Sequence, residues 1–351
     1  MPVNYLTIDV EDYFQVSAFE SVAPQKQWDT YESRVSKNTC RLLDFLDSVS
    51  PTPNDQSVKQ PSIDTNRANR MGDYARQEIE LQALNQRNHR SQPKNRATFF
   101  VVGWIAERHP DLIKEIVARG HEIGCHGYLH RRIYVIGPEE FRKDTIKAKE
   151  ILEDLTGKPV LGYRAPTYSI TKKSLWALTI LAELGFTYDS SIFPICHDMY
   201  GMPDAPRFPF VWGLNGDSPS MLKNHESQIS NSEMRSLVEY PISTAKIFGQ
   251  RIPIAGGGYF RLFPYWFTKW ALKKINNSER QPFLFYLHPW EIDPEQPRFR
   301  TARVLSKFRH YNNLHKTMGH FKRLLRDFSF VSINSGHYAL QSSVEVSQTA
   351  S

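Results

Sequence analysis

Strand-like and helix-like segments alternate along most of this 351-residue chain, and that alternation restricts the fold more than any other feature. Asn4–Val10 reads as a strand, and Ser36 is placed to cap a helix whose Leu42, Phe45, Leu46 and Val49 recur at i, i+3, i+4 and i+7. Residues 97–102 follow as a buried strand, then a helix that Pro110 opens and Gly120 ends, then a short strand reaching Gly124. Further strands are expected at 160–163, 186–188, 239–242, 283–287 and 328–333. Helices are expected from Pro138 to Gly157, from about 171 to 184, near 265–274 and over 302–326. Such a pattern predicts a parallel, barrel-like α/β sheet. Barrels of that kind gather their chemistry at the C-terminal ends of the strands.

Asp9, His126, Arg164, Asp189 and His288 each fall at the end of an expected strand or just beyond it. His126 and His130 stand four positions apart in GHEIGCHGYLH, and on a helix or tight helical turn that spacing sets both rings on one side. In a chain with twelve histidines the spacing also arises by chance. It gains weight from the acidic cluster Asp9-Val10-Glu11-Asp12 closing the first strand, and from His288 closing a late one. Two histidines and a carboxylate, with a position left for water, make a hydrolytic metal site. Cys125 beside His126 reads as a buried structural thiol, because neighbouring side chains on an extended segment point to opposite faces.

Residues 50–96 interrupt the pattern. They are rich in Asn, Gln, Ser, Pro and Arg and nearly lack β-branched or aromatic residues, so the segment is expected to be a disordered insertion in one domain spanning 1–49 and 97–335. Residues 336–351 read as a flexible tail. The net charge of +7 is diffuse, with local density at 298–309 and 316–326, and reads first as a solvated basic helix surface. No zinc finger or helix-turn-helix accompanies it, so nucleic acid is not an expected partner. Three widely spaced cysteines suit a reducing compartment, and no signal peptide or membrane span is legible, so a cytoplasmic location is expected.

Taken in order, TIDVEDYF, RGHEIGCHGYLH, GYRAP, YDSSIFP and FYLHPWE resemble the motifs of the NodB-homology polysaccharide deacetylases. GGGYFRLFPYW and LHPWEIDPEQPR resemble the C-terminal region, here from about residue 240, of the branch associated with exosortase and exopolysaccharide gene clusters. The resemblance implies a distorted (β/α) barrel and metal-assisted removal of acetyl groups from N-acetylated sugars. It implies a divalent metal, zinc first, with cobalt, manganese or nickel as alternatives. The partners it implies are an N-acetylated glycan and the membrane-associated machinery of exopolysaccharide synthesis.

The same resemblance assigns roles. His126 and His130 match the paired metal histidines, and Asp9 the carboxylate that acts as general base. Glu11 and Asp12 both remain candidates for the metal carboxylate: alternation puts Asp9 and Glu11 on one face, whereas a turn starting at Glu11 would swing Asp12 in, and the lean is to Asp12. Arg164 matches the arginine that positions the base, His288 the general acid, and Asp189 the carboxylate that orients it. A backbone N–H within 166–168 is the expected oxyanion donor. Arg261, His197 and Tyr168 are the expected sugar contacts. Trp212, Trp266 and Trp290 default to core positions, and the glycine run at 256–258 carries no signal of a phosphate loop or a helix start. Two rival functions fit the same motifs: hydrolysis of another linear amide or an O-acetyl ester, and a catalytically silent glycan-binding or assembly protein.

Overall fold

The structure, a computed structural model, describes residues 2–49, 95–215, 218–222 and 235–336. Its strands are β1 (Asn4–Val10), β2 (Thr98–Val101), β3 (Glu122–Cys125), β4 (Gly162–Tyr163), β5 (Tyr188–Asp189), β6 (Phe210–Asn215), β7 (Ser218–Leu222), β8 (Arg235–Glu239), β9 (Thr244–Ile247), β10 (Gln250–Pro253), β11 (Leu284–Leu287) and β12 (Phe330–Val331). The helices are α1 (Val35–Ser48), α2 (Gly103–Arg108), α3 (Pro110–Ala118), α4 (Ile133–Thr156), α5 (Trp176–Glu183), α6 (Gly257–Leu262), α7 (Tyr265–Asn277), α8 (Val304–Tyr311) and α9 (Leu314–Asp327).

One sheet runs in the order β11-β1-β2-β3-β4-β5-β8-β6-β7, with β12 beside the start of β1. Every pairing from β11 to β8 is parallel, and β6 joins β8 antiparallel. β1 is buried along its whole length. Its residues nevertheless alternate: Leu6, Ile8 and Val10 enter the hydrophobic core, while Thr7 and Asp9 share the other face and meet Arg164. The sheet curls until its first and fourth strands meet across the interior. Arg164, just after β4, donates to Thr7 Oγ1 at 2.8 Å and Asp9 Oδ1 at 2.6 Å, both on β1. Between β8 and β11, irregular chain replaces a strand: Leu284 N donates to Ser243 Oγ at 2.8 Å and Tyr286 N to Ala255 O at 3.0 Å. The result is a distorted (β/α) barrel.

Glycine is required where that closure is tightest. Gly256 has φ 131°, and a Cβ there would lie 2.0 Å from Tyr286 O, so only a bare α-carbon lets the chain approach β11.

Several elements depart from the sequence expectation. The strand expected at 239–242 ends at Glu239, and the β6–β7 and β9–β10 hairpins carry no clear signal in the sequence. The helix expected over 302–326 is two helices, α8 and α9, broken where Asn313 takes φ 52°. The glycine run does begin a helix, α6. Of the expected insertion, residues 50–94 lie outside the described residues. Asn95 is buried and donates to Val49 O at 3.0 Å, and Arg96 N donates to Phe330 O at 3.1 Å, so the barrel resumes before residue 97. Residues 337–351 also lie outside the described residues. Among the described residues no helix is long and apolar enough to cross a membrane.

Candidate metal centre and active-site cleft

The C-terminal ends of β1, β3, β4 and β11 open into a cleft of about 390 Å3, lined among others by Asp9, Glu11, His126, His130, Tyr168, His288 and Trp290. Glu11, His126 and His130 are all buried, and one ligand-type atom from each lies within 4.8 Å of the others. Their convergence has local causes. His126 N donates to Val101 O at 3.0 Å, which carries the β2–β3 ladder one residue past β3. The chain then turns through Gly127 at φ 70° and His130 at φ 49°, not through the helical turn that the spacing suggested. Asp144 of α4 pins this loop by accepting from Tyr128 N at 2.6 Å and Arg131 Nη2 at 2.9 Å.

The donor set suits a divalent cation. His126 Nδ1 donates to Arg164 O at 2.7 Å, which leaves Nε2 for a ligand. Burial lowers the His126 pKa to about 4, so its imidazole is neutral, the form that binds metal. Burial alone would raise the Glu11 carboxyl, but His130 and then His288 reverse this and hold it well below the usual carboxylate range. Glu11 Oε2 lies 2.5 Å from His130 Nε2. Even so, Glu11 Oε2 has no hydrogen-bond partner, and neither does His130 Nδ1, although both are buried. Glu11 Oε2 and His130 Nε2 are close enough to serve one ion together with His126.

Asp12, the carboxylate favoured from the sequence, is outside this group. Its Oδ2 accepts from Ser33 Oγ at 2.8 Å, Arg34 N at 2.9 Å and Val35 N at 3.2 Å, and its Oδ1 from Tyr13 N at 3.0 Å. It therefore caps the start of α1, where free amides and the helix dipole favour an acceptor. Burial outweighs these donors and pushes its pKa up to about 6.

On one side of the triad, Asp9 is held by Arg164 Nη1 at Oδ1, while Tyr168 O–H donates to Oδ2 at 3.4 Å. Arg164 is fully buried. It also donates to Ser190 O at 3.0 Å and Ser190 Oγ at 2.8 Å, and its guanidinium carbon stands 4.3 Å from the Phe100 ring centre. On the other side, His288 Nε2 lies 3.4 Å from Glu11 Oε1 and 3.8 Å from Asp9 Oδ2. Burial would lower the His288 pKa, but Glu11 and Glu291 outweigh it and raise it to about 9.

Asp189, expected to orient His288, does something else. Its Oδ1 accepts from Ser191 Oγ at 2.6 Å and it pairs with Glu239; burial raises it to about 6 and keeps Glu239 well above its usual range. Four strands separate β5 from β11 in the sheet, so a shared rim does not make Asp189 and His288 neighbours. The carboxylate at His288 is Glu291, whose Oε1 is 2.7 Å from Nδ1 and accepts from His288 N at 3.0 Å. His-x-x-Glu in LHPWE is a capping-box spacing with His in the cap position, and that signal is present in the sequence. Arg261 holds the other oxygen of Glu291 at 2.7 Å and spends further donors on His310 O, Asn312 O and Arg309 O. It is a buried strut, not the open sugar contact the sequence suggested. His197 stacks on Tyr200 with 3.8 Å between centroids and lines the outer cleft. Trp290 donates to Glu11 Oε1 at 3.1 Å, Trp212 is buried, and Trp266 is exposed instead of core.

The rim of the barrel thus gathers a candidate metal site, Glu11, His126 and His130, between Asp9 and His288. Residues 91–188 match the family described as Polysaccharide deacetylase, and residues 190–336 match a domain of unknown function (DUF3473). Residues 91–188 of the chain are thus similar to the polysaccharide deacetylase family. It is 39% identical over 83 residues to a peptidoglycan-N-acetylglucosamine deacetylase of Bacillus cereus, covering 23% of this chain and 30% of that protein. It is 34% identical over 96 residues to a peptidoglycan deacetylase of Helicobacter pylori, covering 27% and 32%. The chain thus spans about a third of the length of these curated relatives. A solved polysaccharide deacetylase of Bacillus cereus is similar with a TM-score of 0.32 and 17% identity, over 55% of this chain and 62% of that one. The two matched regions do not divide the molecule. His126, His130 and Arg164 lie in the first, His288 and Glu291 in the second, and β11 of the second pairs directly with β1.

Proposed function

We propose that the protein is a metal-dependent N-deacetylase of a polysaccharide or its lipid-linked precursor, in the branch of the family tied to exopolysaccharide synthesis. One observation carries this reading: a buried Glu11, His126 and His130 triad is flanked by a fixed carboxylate, Asp9, and by a carboxylate-backed imidazole, His288. Glu11, His126 and His130 would hold the ion, zinc by preference for two imidazoles and a carboxylate. When bound it supplies Lewis-acid polarisation of the amide carbonyl and acidifies water.

The chain's own residues do the rest. Arg164 occupies Asp9 Oδ1 and leaves Oδ2 facing the cleft, so Asp9 takes the proton of the attacking water at that atom. Pro166 has no N–H and Tyr168 N donates to Ala165 O, which leaves Thr167 N as the amide for the developing oxyanion. As the C–N bond breaks, His288 Nε2 protonates the departing nitrogen, with Glu291 holding the ring through Nδ1. Acetate and a free amine result. The test is metal content of the purified chain together with acetate release from N-acetylglucosamine oligomers. Metal-loaded protein that releases acetate only from O-acetyl esters, or from nothing, would overturn the assignment.

A further inference from the structure

Helix α8 is built the wrong way round for a globular surface. Its Val304, Leu305 and Phe308 share one face, yet that face points outward, and His310 is the buried residue of the helix. Leu305 and Phe308 form the rim of the active-site cleft together with Leu262, which ends α6. Trp266 follows on the first turn of α7 and Trp270 one turn later, with Phe267 between them at ring distances of 5.9 Å and 5.7 Å. The exposure of these side chains runs from 47% at Trp270 and 49% at Leu262 to 79% at Val304. Isolated exposed apolar side chains are ordinary, but Leu262, Leu305 and Phe308 at one cleft mouth, with Trp266 and Trp270 on the helix that follows Leu262, mark a docking surface.

The charges around these side chains decide what docks. Residues 298–309 contain five Arg or Lys and no Asp or Glu, and α7 carries Lys269, Lys273 and Lys274 with no acidic residue. Among the described residues, no carboxylate pairs with Arg300, Arg303, Lys307 or Lys273. Protein interfaces deplete lysine at their centres. Trp, Phe and Leu interleaved with unpaired Lys and Arg suit instead the boundary between anionic headgroups and acyl chains.

We infer that this face seats the protein on an anionic lipid bilayer, with the cleft mouth turned toward the headgroups. Resting on the deacetylase reading, this specifies the substrate as a glycan presented at the membrane surface, either lipid-linked or newly extruded. Docking itself needs no turnover, so the two readings fail separately.

The test is flotation of the full chain with vesicles of phosphatidylcholine alone and of phosphatidylcholine with phosphatidylglycerol. The expected result is binding to the mixed vesicles that weakens with salt. Trp266→Ser with Val304→Ser, and separately Leu305→Ser with Phe308→Ser, should each lower partitioning by about tenfold or more, with melting temperature and metal content retained. The proposal is overturned if the chain ignores anionic vesicles, or if the variants partition as the parent does. It is equally overturned if the substitutions abolish only self-association or binding of soluble sugar oligomers. Vesicle binding without acetate release would sink the deacetylase assignment and leave the docking face standing.

Discussion

His288 Nδ1 and Glu291 Oε1 lie 2.7 Å apart, three residues from each other on one short turn, and Glu291 is itself fixed by Arg261 at 2.7 Å. The imidazole is therefore oriented by its own segment and not by a carboxylate from elsewhere on the barrel rim. Glu291→Gln keeps the shape but removes the charge, and should lower kcat by about 10–100-fold, the usual cost of losing an orienting partner, with KM little changed. His288→Ala should cost about two to four orders of magnitude in kcat. Steady-state kinetics on metal-loaded protein checks both. Unaltered kcat in Glu291→Gln would show that the contact is only a cap.

The two acidic residues after β1 should separate cleanly. Glu11→Gln should lose bound metal, because it weakens one of three donors, while its thermal stability changes little. Asp12→Ala should keep its metal yet lose about 1–3 kcal/mol of stability, through the missing cap and stranded amides of α1. Metal analysis beside chemical denaturation distinguishes them. Loss of metal from Asp12→Ala with Glu11→Gln fully loaded would reverse the assignment.

Asp12 also shows where the sequence runs out. Side-chain alternation along β1 puts Asp9 and Glu11 on one face, and the structure follows that rule; what alternation does not fix is where the next turn begins. It begins at Asp12, whose carbonyl accepts from Gln15 N at 3.0 Å. The strand ends carrying Asp9, His126, Arg164 and His288 are legible because short runs bearing β-branched, aromatic or leucine residues stop there at polar or glycine- and proline-containing turns. Asp189 is not, because position at a rim says nothing of which neighbour lies opposite. Trp266 escapes the core expectation because a tryptophan's preference for the interior is a statistical default, and the outward face of α7 overrides it.

The buried pair Asp189 and Glu239 should make stability pH-dependent. Burial raises Asp189 to about 6 in the folded state, above its ordinary value of 3.8. The folded protein therefore binds the proton more tightly than the unfolded chain. The Asp189 contribution is complete below about pH 4 and is lost as pH rises through about 6. Asp189→Asn removes the group that must ionise, so its stability relative to the parent should improve steadily between pH 4 and pH 7. Urea unfolding across that range measures the difference, and a flat difference would mean that Asp189 is not strained by burial.

Arg164 separates two duties in one residue. Its carbonyl accepts from His126 Nδ1 at 2.7 Å, and its guanidinium holds Asp9, Thr7 and Ser190 across the barrel. A substitution changes only the second duty, because the carbonyl belongs to the backbone. Lysine keeps the charge but has no planar fork, so it can reach Asp9 or Ser190 and not both. Arg164→Lys should therefore retain metal, lose on the order of 2 kcal/mol of stability, and lose about a hundredfold in kcat as Asp9 shifts from its place. Arg164→Met should be worse in stability, by about 3–5 kcal/mol, since it leaves a buried carboxylate without its partner. Metal content, melting temperature and kcat read on the same preparations distinguish the two duties. Parental kcat in Arg164→Lys would remove the arginine from the positioning of Asp9, and loss of metal in that variant would show that the side chain, not the carbonyl, fixes His126.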